Sequence, residues 1–193
     1  VVVADLKVDE AATAGKIVRM YPAQDAQPVE TAGDGTEVAV ICDVTAFHAE
    51  GGGQLGDVGT ITAPTGVIEV TVTKKLPDGA TIMVGNVVEG VVNVGEEVTF
   101  TVQSARKNDI ARNHTATHLL HAALKQVLGG HVNQAGSYVG PDRLRFDFTH
   151  YSAVTAEELA KVDEIVQSVV LEGYPVDIRE MSIDEAKAMG ATA

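Results

Sequence analysis

From residue 36 to about 102, short Val/Thr/Ile runs alternate with turn signals. That pattern is the mark of a series of short strands. It predicts strands over 38–44, 58–63, 67–74, 80–84 and 98–102. Pro64-Thr65-Gly66 and Pro77-Asp78-Gly79 have turn chemistry, and Gly95-Glu96-Glu97 reads as another loop. Strands this short, at this regular spacing, predict a small antiparallel barrel. Upstream, 15–21 adds a candidate strand, and 22–35 is rich in breakers and reads as a loop.

The period changes near Ser104. Ile110, Asn113, Thr117, Leu120, Leu124 and Val127 recur at helical spacing and predict the buried stripe of a helix. Asn108 or Asp109 can cap it, and Gly129-Gly130 stops it after Leu128. His114, His118 and His121 form a second stripe beside the first, at the edge of the core. Leu144-Arg145-Phe146-Asp147-Phe148 alternates like a strand. Thr155-Ala156-Glu157-Glu158 is a capping box for a second helix running to about 171. A strand over 175–181 and a short helix opening at Ser182 complete the pattern. The fold class is therefore α+β: a small antiparallel β-barrel over 1–104, then helices on an antiparallel sheet over 105–193.

Composition narrows the class of function. Aromatics are only 4% and Trp is absent, so aliphatic side chains must build the core. No apolar run reaches the roughly 18 residues of a membrane span, and no signal-peptide pattern opens the chain. A lone Cys42 forms no internal disulfide and fits a cytoplasmic setting. The net charge of −13 argues against broad nucleic-acid binding. Its distribution is uneven, however. Arg106, Lys107, Arg112, Lys125, Arg143 and Arg145 face only Asp109 and Asp142 between residues 106 and 145, a basic island suited to a small anionic contact. A random solvated patch is the equal alternative on charge alone.

Candidate chemistry centres on His114-Thr115-Ala116-Thr117-His118, two imidazoles one helical turn apart. That spacing lets both reach one metal ion. A zinc peptidase would carry Glu after the first His as its general base; Thr115 stands there instead, which disfavours peptide hydrolysis. A bare pair of this kind is more often a core-edge feature than a metal site. Thr117 equally reads as a packed helix residue, and Gln134 as a loop amide bonding backbone. Upstream, Glu50-Gly51-Gly52-Gly53-Gln54 is a glycine loop that either approaches a ligand or lets the two halves of the chain pack, with packing slightly favoured. Asp147 either holds a neighbouring Arg or His or faces solvent.

Three motifs occur in order: Asn113-His114-Thr115-Ala116-Thr117-His118-Leu119-Leu120-His121, Gln134-Ala135-Gly136-Ser137 and Leu144-Arg145-Phe146-Asp147-Phe148. Together they resemble the editing domain of alanyl-tRNA synthetase, and the glycine loop with its strands resembles the barrel that accompanies it. The resemblance covers roughly residues 36–193. It implies hydrolysis of tRNA(Ala) mischarged with serine or glycine, at the acceptor end. It implies His114 and His118 as zinc ligands and Thr117 and Gln134 lining the amino-acid pocket; with tRNA as the partner, the basic island makes Arg106, Lys107, Arg112, Arg143 and Arg145 the expected tRNA contacts. In the family, a downstream Cys-Gly-Gly-Thr-His segment completes the zinc site. That segment is absent from residues 1–193, which begin with Val1 rather than Met. The expectation is a piece of a longer cytoplasmic synthetase, with an incomplete and unoccupied zinc site and little activity by itself. Nothing in it resembles an ATP site, so aminoacylation would belong to the remainder of the synthetase. A free-standing trans-editing hydrolase, a threonyl-type editing domain and a non-catalytic tRNA-docking module remain as alternatives.

Overall fold

A computed structural model describes residues 7–8, 12–22, 25, 27–176 and 182–190. The elements in order are β1 (Lys7–Val8), β2 (Ala14–Pro22), β3 (Thr31–Gly33), β4 (Glu37–Cys42), β5 (Val44–Thr45), β6 (Gly59–Thr62), β7 (Gly66–Lys75), β8 (Thr81–Asn93) and β9 (Glu97–Val102). They are followed by α1 (Ser104–Leu128), β10 (Gln134–Val139), β11 (Leu144–Phe148), α2 (Ala156–Glu172) and α3 (Ile183–Ala188). The chain packs as two units, Val1–Ala111 with Tyr138–Arg143, and Arg112–Ser137 with Leu144–Ala193. The fold is α+β, and none of its described helices is long and apolar enough to cross a membrane.

In the first unit, six described strands pair antiparallel in the order β8-β4-β2-β9-β6-β7, and β7 pairs back onto β8 to close a barrel. Closure leaves no free sheet edge among these six. Ile17, Met20, Val38, Val40, Ile61, Ile68, Val70, Met83 and Val87 fill its interior. Ile17 and Met20 are three apart yet both fully buried. A register shift between Ile17 and Arg19 makes this possible, since one irregularity moves every later side chain to the opposite face.

Three departures from the sequence expectation have clear causes. The single strand expected over 38–44 is broken at Asp43, whose Oδ1 accepts from the Lys16 N–H at 2.7 Å and from the Val44 N–H at 2.8 Å. A side-chain acceptor there takes the place of a ladder carbonyl. The strand expected over 80–84 instead runs from Thr81 to Asn93. Gly85 looks like a breaker, but a Cβ there would collide with the Glu69 carbonyl of β7, so the close pairing requires glycine. Within the breaker-rich 22–35 segment, Thr31–Gly33 pairs with the far end of β8. The strand expected over 175–181 lies largely outside the described residues.

The second unit buries Ala123, Leu124, Val132 and Val162, with Leu120, Val127, Phe146, Phe148, Ile165 and Val166 packed around them. One face each of α1, α2 and β11 supplies this core, with Val132 from the turn after α1. Thr155 caps α2 as its spacing predicts: its Oγ1 accepts from the Glu158 N–H at 3.2 Å, and Glu158 accepts from the Thr155 N–H at 2.8 Å. Gly173, in the left-handed region at φ 66°, ends the helix.

Candidate functional site

Helix α1 starts at Ser104, earlier than the Asn108 or Asp109 cap expected from sequence, so Arg106 and Lys107 sit in its first turns. Cations there oppose the positive end of the helix dipole, and no acidic residue in that turn offsets them. Compensation comes from the segment ahead of β6. The Arg106 guanidinium donates to the Gly56 carbonyl at 2.8 Å, and Lys107 Nζ meets the buried Asp57 carboxylate at 2.8 Å. Asp57 also accepts from the His48 N–H at 2.9 Å. No local pattern marks Asp57, because its partner is fifty residues away.

The glycine loop lies on this same unit. Gly51 and Gln54 exchange backbone hydrogen bonds at 3.1 and 2.9 Å. Gly52 and Gly53, at φ 58° and 85°, make the reversal that L side chains resist. Gly53 O then accepts from the Val139 N–H at 2.8 Å, and the Leu55 N–H donates to Val139 O at 3.0 Å. The loop is thus tied into backbone pairing within the first unit.

In the second unit, His114 and His118 stand on one exposed face of α1 with ring centroids 5.1 Å apart and planes 23° apart. Helical geometry brings them together, as the i, i+4 spacing requires. Thr117 is buried beside them, and its hydroxyl donates to the Asn113 carbonyl at 2.8 Å. That bond uses its only proton, so the oxygen has just lone pairs left to offer. His121, one turn further, is buried against Phe146 with ring centroids 5.0 Å apart. Its Nε2 finds no hydrogen-bond partner among the described residues.

Gln134 stands exposed at the start of β10, on a different element. Its segment is a strand rather than the loop its Ala, Gly and Ser content suggests. Pairing with β11 overrides that propensity, and a Cβ at Gly136 would stand 2.7 Å from Asp147 Oδ2. The cations divide between the units. Arg106, Lys107 and Arg143 belong to the first, where Arg143 lies 5.5 Å from the Tyr138 ring centroid. Arg112 and Arg145 belong to the second, where Arg145 Nε pairs with Asp147 at 3.2 Å, both side chains well exposed.

Zinc that acts on bound substrate takes three protein ligands and an open position. Among the described residues, no group of three or more His, Cys, Asp or Glu side chains is placed to hold a metal ion. His114 and His118 supply two donors, which do not complete such a site. Cys42 adds none. Burial, reinforced by the neighbouring Asp43 charge, pushes its thiol up to about 12, so it stays protonated and unsuited to a metal.

Comparison with known proteins settles the family. The description "tRNA synthetases class II (A)" matches residues 4–106, more than half of the chain. The chain belongs to that family. The matched span reaches back past residue 36, where the motif resemblance begins, and takes in the whole barrel. The alanine–tRNA ligase of Acetivibrio thermocellus is 53% identical over 174 residues, covering 90% of this chain and 20% of that enzyme. The alanine–tRNA ligase of Pelotomaculum thermopropionicum is 49% identical over 179 residues, covering 93% and 20%. That of Geobacillus thermodenitrificans is 49% identical over 170 residues, covering 88% and 19%. This class II synthetase chain thus spans about a fifth of the length of these relatives.

Proposed function

We propose that this chain is the editing portion of an alanine–tRNA ligase, acting in the cytoplasm on the acceptor end of tRNA(Ala) mischarged with serine or glycine. The observation that carries this reading is the α1 face, where paired His114 and His118 flank a buried Thr117 with its proton committed. High identity to alanine–tRNA ligases supports the choice of tRNA. The need for such a site follows from binding physics. A pocket sized for alanine cannot exclude glycine by size, and apolar pockets reject an added hydroxyl by only about a hundredfold. A second, hydrolytic site removes what the first lets through.

The reaction is attack of water on the aminoacyl ester, breaking the bond to the ribose oxygen and releasing the free amino acid. Thr117 Oγ1 acts as an acceptor only, so it takes a hydrogen bond from the serine hydroxyl or the substrate ammonium, groups that donate. Gln134, with an amide that both donates and accepts, orients the ester. In the family, zinc polarises the ester or activates water; the two imidazoles present here do not complete its site, and no step is assigned to it. Arg106, Lys107, Arg112, Arg143 and Arg145 are the cations proposed to meet tRNA phosphates. In a complete alanine–tRNA ligase carrying this segment, Thr117→Val or Gln134→Ala should slow Ser-tRNA(Ala) hydrolysis and leave aminoacylation with alanine near normal. Equal loss of both activities would contradict the assignment.

A further inference from the structure

Away from the α1 face, the second unit holds an aromatic assembly that sequence spacing does not reveal. His131 Nε2 and His150 Nδ1 lie 2.9 Å apart. Their ring planes differ by 18° and their centroids are 5.1 Å apart, the separation of two imidazoles meeting edge to edge in nearly one plane. One nitrogen donates and the other accepts. Tyr151 then lies over His131, centroids 4.4 Å apart and planes 25° apart. Despite this contact the tyrosine remains 86% exposed, so its outer face is open.

The assembly is held from beneath. The Thr149 N–H donates to Asn133 O at 3.0 Å, and Thr149 Oγ1 both accepts from the Asn133 N–H at 3.1 Å and donates to His131 O at 3.2 Å. The segments carrying the two histidines are therefore cross-linked by backbone and hydroxyl bonds. A flat ring on a fixed support loses little freedom when another flat ring settles on it.

We propose that Tyr151, backed by His131 and His150, is a docking platform for one unpaired base of an RNA strand. Membership of a tRNA synthetase family identifies RNA as the partner chemistry, so the proposal rests on the functional reading above. Charge favours this mode of contact: a chain of net −13 repels phosphates over most of its surface, whereas a base stacks through its π-face. Single-stranded RNA is held in this way, by bases laid on aromatic side chains. Contact of this kind carries a weak salt dependence, because few phosphates are neutralised.

The test is equilibrium binding of a short single-stranded RNA, carrying no amino acid and with 2-aminopurine at its 3′ end, read by fluorescence quenching and by titration. The native chain should quench the probe, with affinity changing little between 50 and 200 mM salt. Tyr151→Ala, at an exposed position that leaves the core intact, should weaken binding roughly tenfold and abolish quenching. Tyr151→Phe should behave as the native chain, since it keeps the ring. His131→Ala should weaken binding less than Tyr151→Ala does. Native affinity in Tyr151→Ala, or no quenching by the native chain, would overturn the platform. Quenching that depends on Tyr151, with no Ser-tRNA(Ala) hydrolysis by a complete alanine–tRNA ligase carrying this segment, would keep the platform and remove the editing reading; hydrolysis by that enzyme without quenching would do the reverse.

Discussion

Two residues fifty positions apart set the start of α1. Asp57 is buried to 2% exposure, and Lys107 is its cationic partner at 2.8 Å. Removing the lysine charge leaves a carboxylate in a low-dielectric setting with a backbone N–H for support. Breaking one side of a buried pair costs about 3–5 kcal/mol, and the partial exposure of Lys107 brings the expectation to about 2–3. Lys107→Met should therefore lower unfolding stability by that amount in urea titrations. Adding Asp57→Asn should recover much of the loss, because an amide is cheaper to bury than an unpaired charge. Additive losses in the double variant would show that the pair does not couple. Thr117 illustrates a different residue-scale point: its hydroxyl was legible from sequence, but its restriction to accepting hydrogen bonds emerges only from the 2.8 Å bond to Asn113.

Among the elements, short apolar runs between turn signals mark the barrel strands even where burial does not alternate, as in β4, buried from Val38 to Cys42. The α1 stripe recurs at helical spacing and the Thr155 box is complete within four residues, so all three were readable. What escaped were elements whose partners lie far along the chain. The second half of β8 is strand because Gly85 lets β7 approach, and β10 is strand because β11 pairs with it. The His131–His150–Tyr151 assembly likewise depends on segments nineteen residues apart. The α2 cap offers a test with a defined sign. Hydrogen bonds from the Thr155 backbone N–H and hydroxyl hold Glu158 below its ordinary value of 4.5. A carboxylate with a lowered folded-state value stabilises above the unfolded value, and that contribution is lost as pH falls through the folded one. The Tm difference between the native chain and Glu158→Ala should be constant above about pH 5 and shrink as pH falls below 4.5. A difference that grows on acidification would contradict the cap assignment.

At the scale of the whole molecule, a class II synthetase barrel precedes a helical unit that carries the paired histidines. Metal affinity falls as ligands are lost, and two imidazoles leave a zinc ion mostly to water. Zinc in this chain after dialysis should be well below one equivalent by atomic absorption, and His114→Ala should remove what remains. Stoichiometric zinc would instead demand a further ligand, with His131 and His121, whose Nε2 has no partner among the described residues, the first to test. Chemistry on mischarged tRNA is open to a single comparison. Deacylation of Ser-tRNA(Ala) and Ala-tRNA(Ala) should be timed with an alanine–tRNA ligase that contains this segment and with the same enzyme lacking it. The serine ester should be lost rapidly and the alanine ester slowly, with no difference from buffer once the segment is removed. Serine hydrolysis that persists without the segment would place editing elsewhere and contradict the editing assignment.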